Sequence, residues 1–454
     1  MTMLDCPPDS LRVAIIGGGF SGTMVAAQLA RRGIRSVLIE GNGRMGRGVA
    51  YATREPAHVL NVRAEVMSAW PDDLDDFART IEAEGGSAMD FSERRRFGRY
   101  LGAILDQAVG EGLVTPVEAK AVSAVRAGDG WIVELEGGGR IEARALVLAI
   151  GNQEPAAMAV AAGVSEERFV NNPWGRQART ADERLAGSDR PVLLLGTGLT
   201  AVDHILSLDA NGHRGRITAL SRRGQMPRGH IPYEPVAVEH EEVPMGNLLL
   251  LWRWLRRRTA QGSWRAAVDA LRPHSSAIWQ ALGPAEQRRF LRHARPWWDV
   301  HRHRIATEVA ARLKELVGSG RLEVVAGRVR AMREVDGGVE VEIVRRGRRP
   351  RPPAPSPEGE GEARSFDTVV NCTGPLGAMA RTENPILRQM LDDKLIGVDD
   401  LGIGLAVDDR DRAGDRVWAL GPMTKGKYWE IIAVPDIRGQ AAAVAEDVAR
   451  ELEP

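Results

Sequence analysis

An α/β fold, made of two Rossmann-like units and a helical insertion, follows from three features of this 454-residue sequence. Two apolar runs each end in a small-residue turn: Val13 to Ile16 leads into Gly17, Gly19 and Gly22, and Val192 to Leu195 leads into Gly196, Gly198 and Ala201. Each turn precedes a helix-compatible stretch and a second short apolar run, which is the strand–turn–helix–strand order of a parallel sheet. From Gly246 to Val317 the pattern changes to Leu-, Trp- and Arg-rich segments of helical spacing.

Composition narrows the function. Apolar residues make up 43% and charged residues 27%, with 61 basic and 61 acidic side chains. That is the make-up of a globular protein. A zero net charge argues against nucleic acid as the main partner, because phosphate neutralisation needs a basic surplus. Cys6 and Cys372 are the two cysteines, so neither a disulfide framework nor a CxxC redox pair is expected. The start carries no secretion signal and the apolar runs are too short to span a bilayer. A cytoplasmic location is expected.

The first turn reads as a flavin-type site. Leu11 to Ile16 is a buried strand, Phe20 and Ser21 stand in the turn as candidate cofactor contacts, and Thr23 to Arg32 reads as the helix that follows. Gly17 permits the tight turn, Gly19 lets the backbone approach a pyrophosphate, and Gly22 lets helix and strand pack closely. The helix N-terminus then offers unpaired amides to the phosphates. Arg35 to Ile39 forms the second strand and ends at Glu40, about twenty residues past the turn, where a carboxylate accepts ribose hydroxyls. Leu146 to Ile150 is the return strand, with Gly151 at its exit, and it favours FAD over NAD.

The second turn reads as a nicotinamide-type site. Gly196, Gly198 and Ala201 form it, with Thr200 as a further candidate cofactor contact. The next strand, Arg216 to Leu220, runs into Ser221, Arg222 and Arg223 rather than into an acid. A carboxylate there would repel a 2′-phosphate, whereas two guanidiniums bind one by charge-assisted hydrogen bonds. NADPH is therefore favoured over NADH.

The chain divides into FAD-domain segments at 1–155 and 371–454, NAD(P)-domain segments at 156–245 and 318–370, and a helical insertion at 246–317. Val117 to Val125 and Trp131 to Leu135 read as strands. Within the insertion, helical segments are expected at Leu248–Arg258, Trp264–Leu271, Ala285–His293 and Arg302–Val317. The first of these suits a membrane surface, but a packed helix with an exposed basic end is preferred. Residues 345–363, rich in Pro, Gly, Arg and Glu, read as a surface loop without chemistry. Phe366 to Asn371 is a second return strand, Val417 to Leu420 a last strand, and a final helix begins near Pro435.

These residues carry a resemblance. Gly46 to Tyr51, His58 to Ala64, Phe97 to Leu101, Pro296 to Arg304, Asn371 to Pro375, Gly421-Pro422 and Trp429 to Arg438 resemble the FAD/NAD(P)-binding flavoprotein family of YdhS-like layout. More distantly the layout is similar to that of single-component flavin monooxygenases using FAD and NADPH. The phenylalanine–glycine–histidine stretch of the Baeyer–Villiger branch is missing, and Phe169 to Gly175 stands between the two units instead. The resemblance implies an FAD-dependent oxidoreductase reduced by NADPH and acting on a small molecule, with oxygenation of nitrogen, sulfur or a carbonyl carbon as one outcome. A flavin dehydrogenase or reductase, or a non-enzymatic redox sensor, are the alternatives. It also implies that Val49, Ala50, Tyr51, Val122, Gly421 and Ile437 contact FAD. Asn61 and Arg438 are candidate catalytic groups at the flavin. Arg302 and Arg304 are candidates for attracting an acidic substrate or the NADPH phosphates. His301 and His303 supply too few ligands for a metal.

Overall fold

The computed structural model describes residues 13–345 and 361–453. In chain order the strands are β1 (Val13–Ile16), β2 (Ser36–Ile39), β3 (Val114–Val117), β4 (Ala121–Ala127), β5 (Gly130–Leu135), β6 (Arg140–Ala143), β7 (Ala145–Leu148), β8 (Phe169–Val170), β9 (Val192–Leu195), β10 (Ile217–Ser221), β11 (Leu322–Val335), β12 (Gly338–Arg345), β13 (Glu362–Phe366), β14 (Thr368–Asn371), β15 (Arg412–Gly414) and β16 (Val417–Ala419). The first sheet has the order β15-β16-β7-β1-β2-β3 and is parallel except at β15. The second has the order β13-β12-β11-β10-β9-β14-β8, parallel from β11 to β8 and antiparallel beyond. A small antiparallel sheet, β4-β5-β6, packs on the first.

The central strands are apolar throughout because both faces are covered. Along β1, Val13 and Ile15 join a core with helices Phe20–Ala30, Arg94–Gly110 and Val434–Leu452. Ala14 and Ile16 face the other way, into a core with the small sheet and helix Pro385–Asp392. In β9, Val192 and Leu194 pack with helices Leu199–Ala210 and Thr307–Gly318, while Leu193 and Leu195 pack with β11 to β13.

The structure departs from the sequence expectations in four places. The run from Val117 to Val125 is two strands, β3 in the parallel sheet and β4 in the small one; between them the backbone of Lys120 packs against Gly41. Strand β11 is longer than expected. Its first half pairs with β10 and its second half with β12, across a bulge at Val329 and Ala331. The helix expected from Arg302 to Val317 is interrupted: one helix ends at Arg302 and the next begins at Thr307. Ile305 is drawn out of helical conformation because it bridges Gly229, and His230 N–H donates to its carbonyl at 2.9 Å. Helix Thr307–Gly318 then packs in the core of the second unit. Finally, the segment expected as a helix at Ala285–His293 ends its α-helix at Arg289 and continues as a π turn, Phe290–Ala294. The surface loop expected at 345–363 falls largely on 346–360, and Cys6, Leu11 and Arg12 also lie outside the described residues.

Helix Leu248–Gln261 is capped by the Asn247 side chain, which accepts from Leu250 N–H. Leu248 and Trp254 are buried and Leu251 and Leu255 pack beside them, while Leu249 and Leu250 are about half exposed. Among the described residues no helix is long and apolar enough to cross a membrane.

Candidate dinucleotide sites and active site

The two glycine turns share one backbone. Gly17 has φ +109° and Gly196 has φ +119°, which favour glycine. A Cβ on Gly17 would sit 2.4 Å from the Ala149 carbonyl oxygen, and one on Gly196 would sit 2.3 Å from that of Cys372. In each unit the turn is therefore pressed against the exit of a neighbouring strand, β7 or β14. The helix N-caps also match: Gly19 at φ −81°, ψ −166° and Gly198 at φ −82°, ψ −168°, neither with a side-chain cap. First-turn amides are thus left for a ligand, the arrangement that suits a diphosphate.

Side chains separate the two. In the first unit Glu40 is buried, and its carboxylate accepts from Gly18 N–H at 2.9 Å and Asn42 N–H at 2.8 Å. Gly18 is obligatory here, since a Cβ would meet Glu40 Cβ at 2.8 Å. Gly22 is more constrained still: its Cβ would lie 1.9 Å from the Gly17 oxygen. In the second unit Thr197 stands where Gly18 does. Its hydroxyl donates to the Gln225 carbonyl and pairs with the Ser221 hydroxyl at 3.0 Å. Ser221 also accepts from Gly224 N–H at 3.0 Å, closing the turn that carries Arg222 and Arg223. Arg222 is exposed, and Arg223 lies over the Trp297 ring at 5.3 Å.

Most of the remaining FAD candidates lie beside the first turn. Val49, Ala50 and Tyr51 lie on a short helix, Gly48–Tyr51, whose Gly48 opposes Gly19: a Cβ on Gly48 would be 2.8 Å from Gly19 Cα. Gly48 was not among the expected contacts, although its place in the Gly-Arg-Gly run was the available signal. Tyr51 packs edge-on to Phe97. Gly151 (φ +74°) marks the exit of β7, and Val122 is half-buried on β4. Gly421 follows β16; its N–H donates to Gln440 Oε1 at 2.7 Å, and a Cβ there would be 2.7 Å from Ser21 Oγ. Ile437 lies 3.9 Å from that same position. The last strand's exit, the first turn and the start of the final helix are thereby tied together.

Asn61 and Arg438, the two candidate catalytic residues, each make one contact to a distant part of the chain. The Asn61 carbonyl accepts from His230 Nε2 at 2.9 Å, linking the first unit to the loop after β10. Arg438 Nη1 donates to the Ser68 carbonyl at 2.9 Å, and burial holds the guanidinium below its ordinary pKa.

Within the segment Trp297 to Arg304 both candidate arginines are buried. Arg302 is buried with its Nε 3.2 Å from Glu430 Oε2, and Trp298 Nε1 donates to the other oxygen of Glu430 at 2.7 Å. These contacts dock the insertion on the first unit. Arg304 is 4% exposed and pairs with Asp269. Cys372 is buried, and burial pushes its thiol well above the ordinary range.

Residues 14–153 match the family model described as FAD-NAD(P)-binding. No curated protein matches the chain. Among solved structures, it is similar to the ornithine hydroxylase of Pseudomonas aeruginosa (TM-score 0.64, 14% identity, 97% of this chain and 99% of that one). It is also similar to the ornithine N-hydroxylase of Kutzneria sp. 744 (TM-score 0.62, 17% identity, 97% and 99%). A third likeness is to the bacillithiol disulfide reductase of Staphylococcus aureus (TM-score 0.57, 12% identity, 98% and 99%). At these identities the likeness is one of fold: the chain has the α/β architecture of these structures, and its amino-terminal third carries the match to the FAD-NAD(P)-binding model.

Proposed function

We propose that this protein is an FAD-dependent oxidoreductase reduced by NADPH, and that it oxygenates a small molecule at nitrogen, sulfur or a carbonyl carbon. The observation that carries the reading is the pair of turns with one backbone and opposite side-chain chemistry: Glu40 at the first, Arg222 and Arg223 at the second. FAD, when bound, accepts a hydride and passes electrons to oxygen or another acceptor. The protein's part is to place and shelter the reacting groups. Amides at Gly19 to Gly22 hold a diphosphate, and Glu40 accepts ribose hydroxyls. Arg222 and Arg223 pair with a 2′-phosphate. Asn61 and Arg438 would stand beside the flavin, where the Arg438 guanidinium would favour negative charge on the reduced ring. The monooxygenase reading is supported by the likeness to hydroxylases, of which the Kutzneria enzyme was solved with reduced FAD, NADP+ and ornithine. A cytoplasmic location suits a chain with two cysteines, one of them a buried thiol.

Anaerobic mixing of the yellow holoprotein with NADPH tests the reading. Rapid bleaching of the flavin's visible absorbance is expected, and a colourless protein that takes up no FAD would refute it. Admitting air then separates oxygenation from plain reductase activity. Prompt stoichiometric hydrogen peroxide release in the presence of candidate substrates would leave the reductase reading standing.

A further inference from the structure

Three parts of the molecule meet beside Asn61: the first unit, the loop after β10 and the insertion. Their junction holds more positive charge than it neutralises. Arg304, 4% exposed, donates through Nη2 to Asp269 at 2.6 Å. Its Nε and Nη1 are buried and have no partner among the described residues. Arg265 donates through Nη2 to the Gly229 carbonyl at 3.0 Å, and its Nε is likewise buried without a partner. Asp269 already accepts from Tyr233 as well as from Arg304. Burial first, then the like charges of Arg304 and Arg228, hold Arg265 below its ordinary pKa. Arg265 and Arg304 thus both lie in the field of one carboxylate, which already accepts from Arg304 and Tyr233. His230, which reaches Asn61, lies in the same field of Arg304, Asp269 and Arg63. Buried guanidinium N–H groups without acceptors are costly, and each calls for a group that completes it.

We infer that Arg265 and Arg304 form a binding pocket for an oxyanion, and that the substrate enters the cleft with a carboxylate or phosphate held there. The inference rests on the proposed flavoenzyme reading for its use, but not for its test. The pocket lies beside Asn61, so an anchored anion would direct the rest of the substrate towards the flavin. Anchoring at one end is how a site fixes the reacting atom of a small molecule.

The test is calorimetric titration of the holoprotein with inorganic phosphate, compared with Arg265→Gln and Arg304→Lys. Arg265 is half-buried and makes a single backbone contact through Nη2, so its variant is the safer to fold. Lysine at 304 keeps the charge toward Asp269 and removes the spare N–H groups. One phosphate is expected per chain, with affinity falling about tenfold or more in each variant. Affinity for NADP+ and NAD+ should stay unchanged. Equal phosphate binding in all three proteins, or none in the wild type, would overturn the pocket. Parallel loss of NADP+ and NAD+ binding would give the site to the dinucleotide diphosphate, and loss of NADP+ alone to its 2′-phosphate; either overturns the substrate assignment. If Arg304→Lys does not fold, Arg265→Gln decides alone. Phosphate binding can be read on apoprotein too, so failure to bind FAD would sink the proposed function without touching this result.

Discussion

The two glycine turns differ far less in backbone than in what stands around them. Gly19 and Gly198 agree within a few degrees, and Gly17 and Gly196 both press on the carbonyl of an adjacent strand. Yet the first helix approaches its turn so closely that a Cβ at Gly22 would lie 1.9 Å from the Gly17 oxygen, whereas the second tolerates Ala201 at the matching place. The first turn is bonded to a buried acid; the second is bonded to hydroxyls and leads to two arginines. One backbone frame thus presents two electrostatic faces, and it is the side chains beyond the frame that select the dinucleotide.

The largest expected effect breaks the frame itself. Gly22→Ala should cost about 3 kcal/mol through overpacking and abolish flavin retention. The ratio of flavin to protein absorbance, with a thermal melt, reads both. In contrast Gly198→Ala, which meets nothing within 4 Å, should leave the melt unchanged and weaken only NADPH binding.

Next comes the acid. Glu40→Gln keeps an acceptor for Gly18 N–H but loses the charge, so FAD affinity should fall about ten- to hundredfold, since a hydrogen bond to a charged group contributes about 1.5–3 kcal/mol. Equilibrium titration of apoprotein with FAD measures it; an unchanged affinity would mean that Glu40 serves the loop alone. At the other turn, Arg222→Ala with Arg223→Ala should lower the preference for NADPH over NADH about tenfold, read from the rate of flavin reduction.

The last effect concerns the seam between the units and touches stability rather than cofactor binding. Asp182 is raised from 3.8 to about 7, chiefly by burial and then by Glu55 and Glu183. An unfolded aspartate ionises first, so the folded protein binds the extra proton and loses stability as pH climbs from about 4 to about 7. Asp182→Asn removes that loss. Its melting temperature should match the wild type near pH 4, rise above it through pH 7 and keep a constant lead beyond. Nearby His204, lowered to about 4 by burial, adds the opposite slope in acid: stability falls as pH drops from 6.5 towards 4. A lead for Asp182→Asn that is equally large at pH 4 would show that the carboxyl is not the cause.

Much of the architecture was legible because apolar runs bounded by glycine fit few conformations. β1, β2, β7, β9, β10, β14 and β16 all fall inside runs that alternate between two buried faces or are buried on both. The insertion was legible as a change of composition but not in its interior. Nothing local marks the break at His303 to Ala306, since the straightening of Ile305 is imposed by Gly229, more than seventy residues earlier. For the same reason Arg302 and Arg304, read locally, are candidates for an acidic ligand: their partners, Glu430 and Asp269, are remote in sequence.

What the sequence determined by itself is local: where strands stop, where helices begin with bare amides, and which turn is followed by an acid or by arginines. Those follow from the conformational range of glycine and from charge, which neighbouring residues suffice to express. Tertiary structure alone decided which charges meet. It closed Arg302 onto Glu430, left two guanidiniums beside Asn61 without enough acceptors, and set the spacing that demands glycine at 22 but allows alanine at 201. Each of these depends on distances across elements far apart in the chain, where burial turns a spare hydrogen-bond donor or a single methyl group into a large energy.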